Sequence, residues 1–402
     1  MKRLRRIIEK LIESVLTLSG AVTTVTILLI VVFLFREGFG LFKSPAVEKG
    51  YALCVNASNP IQYLNPYQIK QIFDYEIENW NELSAKDEPI VVFRFEEIFS
   101  QYSDQELGAD YELLPEKLAE VVASQPGIIA FFPEEYLPQS KAGVRVLRGD
   151  KITAADFFGG HEWIPTATPA AQFGILPLVV GTLWVSIAAI LIALPLGLGV
   201  AIYLSELASD RMRKILKPAI ELLAGIPSVV YGFFGLVVLV PLVQKAFDLP
   251  VGETGFAGSV ILAIMALPTI ITVAEDAMRG TPRAMREASL ALGATQWQTV
   301  YKVIVPYAAS GISAAVVLGI GRAIGETMAV LMVTGNAAVM PRTLFEPLRT
   351  IPATIAAELG EAPAGGAHYQ ALFLLGCILF VITLVISITA EAVSKRQVNK
   401  GL

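Results

Sequence analysis

Six apolar runs, each long enough to cross a bilayer, limit what this chain can fold into more than anything else in it. Residues 14 to 35 form 22 consecutive positions without a charged side chain, against the ~20 that an α-helix needs to span hydrocarbon. Further runs cover roughly 174–204, 220–243, 256–274, 308–334 and 370–390. Within hydrocarbon only helices and closed barrels satisfy every backbone N–H and C=O, so these lengths predict a helical, multi-pass membrane protein. Composition agrees: 17% of residues are charged and the mean hydropathy is +0.60, whereas soluble domains carry about 25% charged residues. The first run follows a basic stretch, as a secretory signal does. It is longer than the ~7 to 15 residues of a signal's apolar region and lacks a convincing cleavage site before Arg36, which predicts a retained anchor.

Basic residues flank the runs unevenly. Sixteen lie in the N-terminal segment (Lys2, Arg3, Arg5, Arg6, Lys10), at 211–217, at 279–302 and at 395–400, while the short loops opposite hold only Lys245, Arg342 and Arg349. The positive-inside rule then puts both termini in the cytoplasm and residues 36–172 outside. That outer segment holds 11 Lys and Arg against 21 Asp and Glu, a net charge of −10. It is expected to be a soluble α/β module, with helices over 67–73 and 116–124 and strands over 90–95 and 127–132. Its acidity excludes nucleic acid as a partner and repels a free anion at long range, although salt screens the field over ~8 Å. Cys54 and Cys377 fall on different materials and read as small buried hydrophobes that do not pair. His161 and His368 lack metal-ligand spacing and receive no role.

Between the fourth and fifth runs stand Glu287, Ala288 and Ser289, then Gly293, then Val303, Val305 and Pro306. Thr281 is placed to cap a helix with Pro282 at its first position, and Gly293 to end it in a left-handed conformation. Thr295 and Gln298 have the spacing of a capping box for a second short helix. The stretch resembles the EAA loop of ABC importer permeases. That resemblance makes 281–306 the coupling loop, with Glu287, Ala288, Gly293 and Pro306 in a knob that enters a separate ATPase. The sequence contains no G-x-x-x-x-G-K-[ST] phosphate loop, so ATP is expected to be hydrolysed by a partner subunit and no cofactor is expected on this chain.

Pro195, Pro227, Pro241 and Pro268 fall within or at the ends of spans, where each removes a donor and loosens the helix. Such backbone is tolerated at membrane depth only where it is buried or lines a cavity. Gly225 and Gly232 flank 226–231, which includes Pro227 and Tyr231, and invite close helix approach; a gated kink and a packing kink both fit. Arg322 and Glu326 lie one turn apart inside the fifth run, where a charge at the bilayer centre costs at least ~2.5 kcal/mol. Their i,i+4 spacing predicts one shared face and mutual neutralisation, as a structural pair or as a transport site.

Residues 171–208, 221–235, 319–336 and 354–373 are similar to phosphate ABC transporter permease subunits of the PstC type. Gly321, Arg322, Ala323, Gly325, Glu326 and Thr327 stand where that family has Gly-Arg-Ala-x-Gly-Glu-Thr. The resemblance implies an all-α polytopic membrane protein with six transmembrane helices in the type I ABC importer permease fold. It also implies a phosphate pathway through Arg322, Glu326 and Thr327, in a bacterial or archaeal plasma (inner) membrane. The implied partners are a second permease subunit of the PstA type, an ATP-binding dimer of the PstB type and an extracytoplasmic phosphate-binding protein of the PstS type. The chain then divides into an anchor, 1–42, an inserted extracytoplasmic α/β domain, 43–152, and a permease core, 153–402.

The insert has no counterpart in ordinary chains of that type. Val55 to Leu83, Pro89 to Arg94 and Gln125 to Phe132 resemble one lobe of a periplasmic phosphate-binding protein. There the Arg-ending strand is followed by a Ser-Gly-Thr turn that binds the anion, whereas Arg94 is followed by Phe95, Glu96 and Glu97. The insert is therefore expected to dock or gate without binding phosphate tightly. Two other readings compete. A sulfate or molybdate permease would share the EAA loop but lack the Gly-Arg-Ala-x-Gly-Glu-Thr run, and a membrane receptor with an acidic sensor would need neither.

Overall fold

The computed structural model describes residues 2–83, 86–108, 110–138, 143–147 and 151–400. The basic side chains Lys2, Arg3, Arg5, Arg6, Lys395, Arg396 and Lys400 lie outside the described ones. The first span is α1 (Lys2–Gly38), whose apolar side chains from Leu11 to Phe33 are largely exposed, as lipid-facing side chains are. A four-stranded sheet follows, built from β1 (Tyr51–Asn56), β2 (Val91–Arg94), β3 (Ile128–Pro133) and β4 (Val144–Leu147) in the order β2-β3-β1-β4. Strand β1 runs antiparallel to β3 and β4, and β2 runs parallel to β3.

Both faces of the sheet are covered because its strands alternate apolar side chains to either side. On one face Leu53, Val55, Val92 and Ile129 pack against Ile69, Ile72 and Phe73 of α2 (Pro66–Phe73) and against Trp80. A capping box of Asn65 and Gln68, with Pro66 in the first turn, starts that helix. On the other face Cys54, Phe93, Ala130 and Phe132 meet the short helices α3 (Ile98–Gln101) and α4 (Asp104–Leu107) and the longer α5 (Leu114–Ser124). Burial pushes the Cys54 thiol up to about 12, so it is an inert core residue. The helices and strands expected at 67–73, 90–95, 116–124 and 127–132 are present; β1 and β4 were not anticipated.

The module joins the core through α6 (Ala154–Gly159) and a hairpin of β5 (Trp163–Ile164) and β6 (Gln172–Phe173). Gln172 Nε2 donates to the Pro66 carbonyl at 2.8 Å, and Lys70 pairs with Glu162 at 3.2 Å. The core then runs through α7 (Leu176–Ile202), α8 (Asp210–Ala224), α9 (Ser228–Phe234), α10 (Val240–Phe247) and α11 (Gly255–Arg279). Next come α12 (Arg283–Ala291), α13 (Gln296–Thr299), α14 (Val305–Tyr307), α15 (Ala309–Gly325), α16 (Met328–Val333), α17 (Ile351–Glu358) and α18 (Ala367–Lys400).

Among the described residues five helical stretches are long and apolar enough to cross a membrane: 10–43, 176–207, 228–247, 255–279 and 367–389. A sixth forms if the pair 296–307 and 309–325, bent by 71°, counts as one. Two of the expected spans have different limits. The run at 220–243 starts only at Ser228, because amphipathic α8 stops before Gly225-Ile226-Pro227. The run at 308–334 breaks after Gly325.

Helix α11 is the most deeply buried span and packs against α7, α15, α9 and α16, with Ala257, Ile261, Ala266 and Ile270 in the core. Glycines set these approaches. A Cβ on Gly232 of α9 would lie 2.8 Å from Met332 Sδ and 3.0 Å from the Ala329 Cα of α16. Gly225 has no such neighbour, so the expected close approach holds at Gly232 alone. Gly232→Ala is expected to force α9 and α16 apart and destabilise the protein by about 1 to 3 kcal/mol. A lowered thermal midpoint of the detergent-solubilised protein, against an unchanged one for Gly225→Ala, checks this.

Candidate functional site

Helix α15 carries Arg322 in its last turn and ends at Gly325. Glu326 is already extended, at φ −71° and ψ 132°, and Thr327 precedes the six-residue α16. The expected neutralisation of Arg322 by Glu326 is therefore not found. Among the described residues neither has an opposite charge within 4 Å, because the break carries Glu326 off the helical face that i,i+4 spacing would share. Arg322 instead donates from Nη1 to Thr269 Oγ1 of α11 at 3.2 Å. Thr327 Oγ1 donates to the Gly325 carbonyl at 3.3 Å, satisfying one orphan acceptor at the helix end. Arg322, Glu326 and Thr327 are all half-buried, and Gly325 and Thr327 line a groove of about 510 Å³ that α17 and Leu379 of α18 complete.

Tyr231 of α9 stands within electrostatic reach of Arg322. Its hydroxyl donates to the Leu223 carbonyl near the end of α8 at 2.8 Å, bridging the interruption at Gly225-Ile226-Pro227. Pro227 begins α9 rather than kinking a continuous helix, whereas Pro195 and Pro268 lie inside α7 and α11.

The loop at 281–306 is a helix pair joined by a tight turn. Gly293 has φ +83°. Gly293 N–H donates to Leu290 O at 3.0 Å and Ala294 N–H to Ser289 O at 3.2 Å, closing α12 in a Schellman turn. The Thr295–Gln298 capping box starts α13 as expected, and the Ser289 and Thr299 hydroxyls meet at 2.9 Å across the turn. Thr281 does not cap α12. Pro282 takes the cap position, and the buried Thr281 hydroxyl has no hydrogen-bond partner among the described residues, since the turn from Met278 folds it inward.

Arg286 anchors the pair. It donates to the Met278 carbonyl at 2.8 Å and to Glu206 at 3.0 Å. Nearby, Lys217 of α8 pairs with buried Glu275 of α11 at 3.0 Å. Glu287, Ala288, Gly293 and Pro306 stay exposed with Leu292 and Trp297 at the tip.

Residues 193–399 match the family described as binding-protein-dependent transport system inner membrane component. The chain belongs to this family. It is 40% identical over 246 residues to a probable ABC transporter permease protein, YqgH, of Bacillus subtilis, covering 61% of this chain and 79% of that protein. It is 38% identical over 265 residues to the phosphate transport system permease protein PstC of Pasteurella multocida, with 61% and 81% covered. Among solved structures, an inward-facing MetNI methionine ABC transporter chain aligns at 19% identity and a TM-score of 0.44, covering 56% of this permease and 97% of that chain.

The permease holds a polar cluster that sequence reasoning missed. Glu358 at the end of α17 accepts from Trp163 Nε1 and lies against His368 Nε2, each at 2.9 Å, and pairs with Arg349. His368 is thus not isolated. These residues come from three separate segments, so no local spacing announces them. Burial raises the Glu358 carboxyl, but the hydrogen bonds from His368 and Trp163 and the charge of Arg349 outweigh it and hold the group below the ordinary carboxylate value.

In the α/β module Arg94 is partly engaged by its own chain. Its guanidinium donates to the Phe73 carbonyl at 3.0 Å and stacks over the Phe73 ring, and its backbone N–H donates to the Glu97 carboxylate at 3.2 Å.

Two outcomes follow. Gly293→Pro removes the N–H bonded to Leu290 and cannot adopt φ +83°; coupled transport should be lost while membrane insertion is retained, read by uptake assay and protease accessibility. Glu358→Gln should destabilise the permease by about 1 to 3 kcal/mol near neutral pH. A depressed folded-state value makes that contribution present above about 4.3, the unfolded carboxylate value, and lost as pH falls through the lower folded value. Thermal midpoints of the two proteins should therefore converge in acid.

Proposed function

We propose that this permease is the transmembrane subunit of an ATP-driven phosphate importer, contributing to the translocation path and coupling to a separate ATPase. The observation that carries the reading is Arg322. It is a half-buried guanidinium at a broken helix end, with a hydroxyl but no carboxylate beside it among the described residues. A guanidinium binds a phosphate oxygen pair through its planar fork, and discontinuous helices mark substrate sites in many transporters. The relatives named as phosphate permeases support the choice of anion.

In this reading the tip at Leu292 and Trp297 enters the ATPase, and this chain binds no ATP. The basic loops around Lys217 and Arg286 lie in the cytoplasm with both termini, and the acidic module lies outside. A second permease subunit completes the path, and an extracytoplasmic binding protein delivers phosphate. The module, in which Arg94 is followed by Phe95, Glu96 and Glu97 and turns part of its guanidinium to the Phe73 carbonyl, serves docking instead of anion capture.

Reconstitution with those partners in proteoliposomes should give ATP-dependent phosphate uptake that sulfate does not inhibit; inhibition by sulfate would favour a broader oxyanion permease. Arg322→Gln should reduce uptake by roughly 100-fold or more, as expected for losing a charge-assisted contact to a desolvated anion. Glu326→Gln should also impair uptake, and combining the two should not restore it, because they are not partners in the resting fold. Recovery in the double variant would make them a structural pair.

A further inference from the structure

Thr269 enters no motif, yet it is the residue that meets Arg322. Its place on α11 is tightly fixed. Pro268 precedes it inside the helix, and Ile270 follows it, wedged between glycines of two other spans. A Cβ on Gly197 of α7 would lie 2.8 Å from Ile270 Cγ2, and one on Gly319 of α15 would lie 2.9 Å from Ile270 Cδ1. The hydroxyl of Thr269 is thus presented to α15 from a point that three packed helices hold still.

An arginine at a helix end samples many rotamers unless something holds it. The 3.2 Å bond from Nη1 to Thr269 Oγ1 engages one of five guanidinium N–H groups. No acceptor among the described residues engages the others. The hydroxyl also keeps its own hydrogen, for which no acceptor is present among the described residues. The remaining guanidinium edge and the O–H together form a set of donors that meets no acceptor among the described residues, on half-buried side chains that stay open to an incoming group.

We infer that Thr269 is a positioning residue for Arg322, fixing the guanidinium beside the broken end of α15 so that its free edge receives an oxyanion. The inference rests on the reading of this path as an oxyanion route and adds to it the residue that orients the arginine.

The test compares Thr269→Val, which keeps the shape and removes the hydroxyl, with Thr269→Ser, which keeps the hydroxyl. Both are made in the full chain and assembled with the partner subunits in proteoliposomes. Thr269→Val should lower maximal phosphate uptake by about 10-fold or more, the range for losing a hydrogen bond to a charged group, and Thr269→Ser should stay within about twofold of the parent. ATP hydrolysis without binding protein and the thermal midpoint should be unchanged in both.

A transport-independent measurement reads the arginine itself. Phenylglyoxal labelling of Arg322, followed by mass spectrometry, should speed up in Thr269→Val and return to the parent rate in Thr269→Ser. Equal labelling rates in parent and Thr269→Val would overturn the positioning role. So would a Thr269→Val loss of uptake matched by a lowered thermal midpoint, or a Thr269→Ser protein as impaired as Thr269→Val. A parent that takes up no phosphate, while labelling still depends on the hydroxyl, would leave Thr269 positioning Arg322 and refute the oxyanion route instead.

Discussion

The packing of Ile270 between Gly197 and Gly319 is the contact on which the rest of the membrane core depends. Hydrocarbon tails are as apolar as any leucine, so burial from water does not hold spans together inside a bilayer; close fit does. The small residues of α11 let α7 and α15 approach it, and two glycines let one branched side chain fill the space between all three. Thr269, Arg322 and the groove beyond Gly325 inherit their positions from this fit. A change of one methyl group at Gly197 or Gly319 would reach the polar site without touching any polar residue.

The same constraint explains how the core tolerates its prolines. Pro241 and Pro306 each follow a five-residue π-helical stretch, 235–239 and 300–304. A proline ring clashes with the carbonyl four residues earlier, here at Val237 and Lys302, and both lie where the wider π turn gives that carbonyl room. The span across Pro241 thereby stays continuous, while the one holding Pro306 bends by 71° immediately after Tyr307. The spans are interrupted elsewhere, at Gly225-Ile226-Pro227 and after Gly325, next to the residues that line the groove or approach Arg322.

Much of this was legible in the sequence, and for identifiable reasons. Span length, the left-handed Gly293 and the Thr295–Gln298 box are local properties, so reading a few neighbouring residues suffices. The break after Gly325 was not legible, because no proline marks it and Gly321 and Gly325 look like packing glycines in a continuous helix. That is why Arg322 and Glu326 seemed to be a pair. Thr281 misled for a related reason: capping residues are recognised by type, but tertiary folding of the turn at Met278 decides where the hydroxyl points. The Trp163–Glu358 and Thr269–Arg322 bonds join residues distant in sequence, and Arg349, Glu358 and His368 stand nine and ten residues apart with no regular repeat, so a single sequence carries no sign of such meetings. In the α/β module β1 escaped notice because Tyr51–Asn56 is buried on both faces and lacks the alternation that identifies a half-exposed strand.

The turn at Gly293 has a consequence for association kinetics. Its shape is closed by bonds from the three residues after α12 back into that helix, by the Ser289–Thr299 contact and by the Arg286 anchor, none of which needs a second molecule. An exposed tip carrying Leu292 and Trp297 in a fixed arrangement loses little conformational freedom when another surface receives it. Force applied at such a tip passes through Glu206 into the π-helical end of the span 176–207 and through Met278 into α11, since a rigid lever stores little of the displacement given to it.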